Sequence, residues 1–371
     1  MRLLLGAVSA LALGHGMAVA GGLDRTNQPI GIIFEEGTYA EFSFSHTNPN
    51  VSGTGLFTGT EFDETAGRFS SFGFGFKTDL TEQLSLSFIY DQPFGSDIRY
   101  EGSPATTELG GTTAISDSSS YTAVLRYKFD ENFSAHAGLR AQQAGGQIDL
   151  RGVAYGGVNG YSVNLDKTFG FGYLVGVAYE RPDIALRIAL TYNSAITHEF
   201  DTTETLNGAP LAASTSITET DTPQSVNLDF QTGIAKDTLL FGSIRWAEWS
   251  AFKIDPDVFT GIVGSGLVEL DDWTTYTLGV GRRFNENWAA SISYTYEAPQ
   301  DPLVSPLAPT EGQRAWTLAA IYTLDDIEIT TGLRYTRPGD AMPETGTPDV
   351  ARANFTDNDA VTLGVKVGYK F

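Results

Sequence analysis

The stretch VTLGVKVGYKF, residues 361–371, places an apolar residue at every second position. Val361, Leu363, Val365, Val367, Tyr369 and Phe371 alternate with Thr362, Gly364, Lys366, Gly368 and Lys370. Successive side chains of a strand point to opposite faces, so this period of two gives one apolar face and one small or polar face. The same unit recurs back along the chain. Phe72, Phe74 and Phe76 form one row, Tyr121, Ala123, Leu125, Tyr127 and Phe129 another, and Phe133, Ala135, Ala137 and Leu139 a third. Phe169 to Tyr179, Ile184 to Tyr192 and Ile327 to Tyr335 repeat it.

Connections between these rows come in two kinds. Tight turns fall at Thr81-Glu82, Asp130-Glu131-Asn132, Arg181-Pro182-Asp183, Lys236-Asp237, Asn285-Glu286-Asn287 and Asp325-Asp326. Long polar connections fall at 48–66, 93–118, 144–167, 194–222, 250–272, 297–313 and 336–359. Seven long loops and six tight turns join fourteen strands. An even strand count with short turns on one side and long loops on the other is the plan of an all-β, antiparallel transmembrane barrel. The apolar face then meets lipid, and closure is obligatory, because an open edge leaves unpaired backbone groups in hydrocarbon. A secreted sandwich or β-helix predicts similar turns on both sides. Tyr90, Tyr127, Tyr179, Tyr192, Tyr294, Tyr322 and Tyr335 stand at strand ends, where girdle aromatics belong.

Composition agrees with an exported barrel. Arg2, the apolar run LLLGAVSALALG and Ala18-Val19-Ala20 read as a signal peptide, residues 1–20. The run is too short and too rich in Gly and Ala for a membrane helix. The chain has no Cys, so no disulfide holds it. Acids outnumber bases 45 to 23, which argues against nucleic acid as a partner. In the seven long loops the ratio is 27 to 6, so the face that carries them is strongly negative. Such a face repels carboxylate ligands and tilts the reading toward neutral molecules.

The segment NQPIGIIFEEGTYAEFSFSHTNPNVSGTG (27–55) resembles the start of the FadL/TodX family of outer-membrane transporters for long-chain fatty acids and hydrophobic compounds. FIYDQPFGSDIRY (88–100) resembles that family's third strand, RWAEWSAF (245–252) its Trp-rich ninth strand and loop, and FTDNDAVTLGVKVGYKF (355–371) its last strand. The resemblance implies a monomeric barrel, residues 38–371, with residues 21–37 as a short N-terminal plug. Asn27 and Pro29 match the plug motif, which reads Asn-Gln-Pro here where the family has Asn-Pro-Ala. It implies capture of hydrophobic small molecules by the loops and lateral exit into outer-membrane lipids near a kink in strand three, at Pro93 and Gly95. The terminal Phe371 resembles the signal read by the barrel-assembly machinery. No cofactor is implied.

Pro93 carries weight without the resemblance. Proline donates no backbone N–H to a ladder and is confined to edges, strand starts or bulges. The stretch QPFG (92–95) either breaks the wall or simply begins the loop after the third strand. Arg126, His136, Arg140, Arg187, Asp229, Glu328 and Arg334, with Asp91 and Lys366, fall on the inward face. They read as a hydrated, ion-paired lumen, or as partners for a ligand carboxylate. Ser134 and His136 lack a third group for nucleophilic catalysis, so the chain reads as a non-enzyme. Asp255 and Asp257, and Asp357 and Asp359, read as solvated loop acids, with calcium as the alternative. Leu56, Phe57, Phe259, Ile262 and Leu267 are the expected loop capture surface. The competing function is a general diffusion porin or a structural or adhesive barrel, which needs an open lumen.

Overall fold

The computed structural model describes residues 23–346 and 348–371. The expected signal peptide, 1–20, and the first two residues of the N-terminal segment lie outside the described residues. Fourteen antiparallel strands form one closed barrel. They are β1 (Tyr39–Asn50), β2 (Phe69–Asp79), β3 (Leu84–Asp91 and Gly95–Arg99), β4 (Thr113–Lys128), β5 (Phe133–Leu150), β6 (Tyr161–Arg181) and β7 (Leu186–Asn193 and Ile196–Leu206). The rest are β8 (Ser216–Thr222 and Ser225–Ala235), β9 (Thr238–Ala247), β10 (Trp273–Arg283), β11 (Trp288–Glu297), β12 (Gln313–Leu324), β13 (Ile327–Pro338) and β14 (Asp359–Lys370).

Closure is made by the stretch that opened the sequence analysis. β14 pairs with β1 in continuous register from Tyr39↔Lys370 to Asn50↔Asp359. The Phe371 N–H then donates to the Thr38 carbonyl at 3.0 Å. The alternation holds in three dimensions. Leu139, Phe171, Leu363 and Phe371 are 60% or more exposed on the outer face, where lipid covers them. Their inward neighbours Arg140 and Lys366 are buried.

Three of the expected long loops are shorter than their polar sequence implies. β3 and β4 stay paired from Gly95↔Asp117 to Arg99↔Thr113. β5 and β6 stay paired out to Leu150↔Tyr161, and β7 and β8 from Ile196↔Thr222 to Thr202↔Ser216. The apolar row marks where lipid ends, not where the strand ends. Above the bilayer the ladder continues with Thr197, Glu199 and Asp201 facing water.

The ladder also has a seam. β6 and β7 are paired up to Leu174↔Asn193 and again from Leu165↔Thr202, but not between. Over that interval β7 overlaps the inner face of β6. His198 Nε2 reaches the Gln142 carbonyl of β5 at 3.2 Å. The overlap needs Gly170, where a Cβ would lie 2.5 Å from Ile196 Cγ2 and from the Thr197 carbonyl oxygen.

Above the barrel, the loops fold inward on an apolar cap that includes Val51, Phe62, Tyr100, Trp249 and Phe355. A short helix, α1 (Asp257–Val263), sits in it. The Glu204 carboxylate accepts the first-turn N–H groups of Val258 and Phe259 at 3.0 and 2.8 Å, which satisfies donors that a helix start leaves free.

Candidate functional site

Residues 23–34 run through the lumen, and contacts from many strands hold them there. The Asp24 carboxylate pairs with the Arg245 guanidinium of β9 at 3.2 Å. Arg245 is fixed in turn by Ser225 Oγ at 2.7 Å and Asn227 Oδ1 at 2.9 Å. Asn227 also donates to the Asn27 carbonyl at 3.3 Å. Asn27 and Gln28 both have left-handed backbones, with φ of 55° and 53°. Each such residue is strained by roughly 1–2 kcal/mol, and the contacts to β8 and β9 hold the turn. Next comes the single turn Gly31–Phe34. Its Ile32 and Ile33, with Ile30, pack against Ile89, Val124 and Leu174 of the wall. Phe34 lies between two guanidiniums, 4.5 Å from Arg126 and 4.4 Å from Arg187. A desolvated cation over a ring contributes up to about 2 kcal/mol.

The wall beside this segment is broken. The β2–β3 ladder stops at Phe74↔Tyr90, although β2 continues to Phe69. Pro93 sits in the interruption of β3, within the wall rather than in a loop. In hydrocarbon each unpaired backbone group costs several kcal/mol, so the break needs substitute partners. The N-terminal segment supplies two: Arg25 N–H donates to the Pro93 carbonyl at 2.6 Å, and Gly95 N–H donates to the Leu23 carbonyl at 3.0 Å. Ser118 Oγ accepts the Phe94 N–H at 2.9 Å. Gln92 Oε1 accepts the Phe72 N–H at 2.9 Å from across the gap. Proline itself adds no orphan donor. The Arg25 guanidinium packs directly over Gly95 and would have to move to admit a Cβ there.

Two cavities lie near this point. The upper one, about 810 Å³ with part of it open to solvent, is mostly apolar and is lined by Leu23, Phe94, Ile148, Leu165, Phe200 and Leu270. The lower one, about 1540 Å³ on the same measure, is lined by Thr26, Ile30, Asp91, Arg187, Asp229 and Arg245. Phe94, which lines the upper cavity, forms a backbone bridge with Asp24 of the N-terminal segment. The lower cavity also touches Ser71, Phe72, Gly73 and Phe74, four successive β2 residues. Successive residues face opposite sides of a strand: Ser71 is buried on the inner face and Phe72 is exposed on the outer face. On β3 the cavity lining ends at Ile89, Tyr90 and Asp91, next to the interruption that holds Pro93.

The remaining sequence-selected residues divide. Arg126 pairs with Glu180, and His136 Nε2 contacts Thr191 Oγ1 at 2.9 Å. Arg140 donates to Thr122 at 2.9 Å, and Arg187 donates to Gln231 at 3.1 Å. Arg334 and Glu328 face the lumen among β11 to β14, where Arg334 donates to Thr336 Oγ1 at 3.2 Å. Asn27 and Pro29 line the lower cavity. The five loop residues do not form one surface. Leu56, Phe57 and Ile262 are exposed. Phe259 is buried against Tyr161, with ring centres 4.8 Å apart, and Leu267 packs on the cap. A loop sequence does not tell an apolar residue that faces water from one that folds under. Asp24, Arg25, Phe34, Gln92 and Arg245 were not singled out in the sequence. Phe34, Gln92 and Arg245 lie within stretches quoted for the resemblance, but nothing in those stretches marks their roles; Asp24 and Arg25 lie in no quoted stretch.

A closed, even-stranded barrel with a lipid-facing belt, an occupied lumen and a break in one wall strand defines an outer-membrane transport barrel. Residues 58–371 match the family described as "Outer membrane protein transport protein (OMPP1/FadL/TodX)", and the chain belongs to that family. It resides in the outer membrane of a Gram-negative bacterium. Among solved structures, it is similar to a Pseudomonas aeruginosa FadL homologue at 13% identity and a TM-score of 0.74, covering 97% of this chain and 98% of that one. It is also similar to the Pseudomonas putida toluene transporter TodX (13%, TM-score 0.64, 96% and 98%). The CymD monoaromatic hydrocarbon channel is a further match (12%, TM-score 0.59, 96% and 99%). No curated protein sequence matches the chain. The family and these structures are of transporters and channels.

Proposed function

We propose that this barrel carries neutral hydrophobic small molecules from the extracellular loops into the outer membrane by passive diffusion, with lateral exit at Pro93. The observation that carries the proposal is the lower cavity, which touches Ser71 and Phe72, neighbours that face opposite sides of one strand. A molecule that leaves there does not have to pass the Arg126–Glu180 pair, which lies outside the cavity lining. The gain is large enough to drive it. Apolar surface removed from water is favoured by about 25 cal/mol per Å², so a ring-sized molecule burying about 150 Å² gains roughly 4 kcal/mol. The similar proteins, a toluene transporter and a monoaromatic hydrocarbon channel, agree with this cargo class. The acidic loops favour neutral cargo over fatty-acid anions.

No catalysis enters the proposal. Ser134 Oγ accepts from Arg126 Nε at 3.1 Å and His136 contacts Thr191, so neither is poised on the other. The N-terminal segment acts as the plug, which disfavours a general diffusion porin. Outer-membrane lipids receive the cargo, the barrel-assembly machinery reads Phe371, and the barrel works as a monomer. The test uses the natural absence of Cys. A Phe72→Cys/Gln92→Cys pair spans the gap in the extended β2–β3 register. Oxidation should abolish uptake of a labelled aromatic hydrocarbon, and reduction should restore it. Uptake that ignores the disulfide would sink the lateral route.

A further inference from the structure

Arg314 of β12 and Arg337 of β13 stand directly opposite each other in register. Both are exposed on the outer face of the barrel. Like charges directly opposite across two strands destabilise the sheet unless something neutralises them. The protein supplies little to do so. The Arg314 guanidinium makes no hydrogen bond or ion pair with any of the described residues. Arg337 meets Asp357 at 3.6 Å, in a pair whose side chains are 61% and 92% exposed, and such pairs contribute little. The placement is unusual for a face whose loops are so acidic.

The rows below it make the position informative. One step toward the tight turns, Trp316 faces Tyr335. The next outward pair is Leu318 and Leu333. Cation, aromatic and aliphatic pairs thus descend in order on the same two strands. This is the profile of an amphiphile standing in the membrane: an anionic headgroup, an interfacial zone and acyl chains. Tyr296 of β11 flanks Arg314 in the headgroup row. Paired guanidiniums match phosphate geometry better than ammonium groups do.

We infer that Arg314 and Arg337 form a binding site for the phosphorylated headgroup of an outer-leaflet lipid, whose acyl chains lie along Leu318 and Leu333. The site lies on the outside of β12 and β13, away from the lumen and from the gap between β2 and β3. Its occupant anchors the barrel in the leaflet and neutralises the arginine pair; it is not cargo.

The test uses the full-length barrel, delipidated in detergent and read by native mass spectrometry. Three probes are compared: lipid A carrying two phosphates, the same lipid dephosphorylated, and inorganic phosphate alone. The native protein should retain the phosphorylated lipid at least tenfold more than the dephosphorylated one. An Arg314→Gln/Arg337→Gln variant should lose that preference while still migrating as a heat-modifiable barrel. Equal retention of both lipids by the native protein overturns the inference, whatever the variant does. So does an unchanged preference in the variant. Saturable binding of inorganic phosphate without lipid would make the pair a free-anion site and overturn the lipid assignment.

Discussion

Asp24 and Arg245 are 221 positions apart in the chain and 3.2 Å apart in the lumen, both nearly excluded from solvent. This pair ties the N-terminal segment to β9. Removing one member of a buried pair leaves an uncompensated charge, which costs about 3–5 kcal/mol. Arg245→Met should therefore release the segment. In planar bilayers the variant should conduct small ions more than the native barrel does, and adding Asp24→Asn should reverse part of the gain. Identical conductance in all three proteins would mean that the segment does not plug the lumen.

The wall break invites a second change, limited to Pro93. Gly95 is left unchanged, because a side chain there would displace the Arg25 guanidinium and confound the result. Pro93→Thr frees φ and restores an N–H, so Asp91 to Gly95 can straighten toward β2. Uptake of a neutral aromatic compound by cells should fall several-fold while heat-modifiability stays normal. Full uptake by a correctly inserted Pro93→Thr barrel would count against Pro93 as the gate.

The barrel was legible because a membrane allows no compromise on pattern. Every outward side chain in the belt meets lipid, so the period of two is unbroken over Val361–Phe371 of β14 and Phe169–Tyr179 of β6. Pro93 was legible as a break because proline lacks a donor, but its height was not: the sequence allows a loop start as easily as a gap. The anchoring of the N-terminal segment was not legible at all. An inward row shows that Arg245 faces the lumen but not which acid meets it. The seam between β6 and β7 was hidden for a different reason. Gly170 and Gly172 read as small inward residues, although what they accommodate is a neighbouring strand.

That seam yields a third prediction. A side chain at Gly170 would press on Ile196 and on the Thr197 backbone, and one at Gly172 would lie 2.6 Å from Ile196 Cγ1. Overpacking of this kind costs about 1–3 kcal/mol. Gly170→Val should lower the temperature at which the barrel loses its folded gel mobility, and Ile196→Ala should recover part of the loss. Gly261→Val makes a suitable control, since a Cβ there meets nothing within 4 Å. Equal melting of Gly170→Val and the control would show that the overlap bears no weight.

The fourth prediction concerns two loop carboxylates that respond to pH in opposite directions. Glu108 is buried and clamps the first long loop: it accepts the Phe57 and Thr58 N–H groups at 2.7 and 2.6 Å, and the Thr58 hydroxyl as well. Burial alone raises its pKa, but these hydrogen bonds to the ionised form outweigh it and hold the pKa below the usual value of 4.5. The clamp therefore stabilises the loop above pH 4.5 and is lost only as pH falls through the lower folded value. Glu344 is the reverse case. Burial first, then Asp349, Asp301 and Glu269, push it up to about 7. Its contribution is present below pH 4.5 and is lost as pH rises through about 7. On acidification from about pH 8 to about pH 5.5, amide exchange corrected for intrinsic rates should slow around Met342–Thr345. It should stay unchanged at Phe57 and Thr58. Glu344→Gln should remove the first response. Glu108→Ala should speed exchange at Phe57 and Thr58 at least tenfold at both pH values, since hydrogen bonds to a charged group contribute about 1.5–3 kcal/mol each. If Phe57 and Thr58 loosen over that range in the native protein, the clamp is not held by an ionised Glu108.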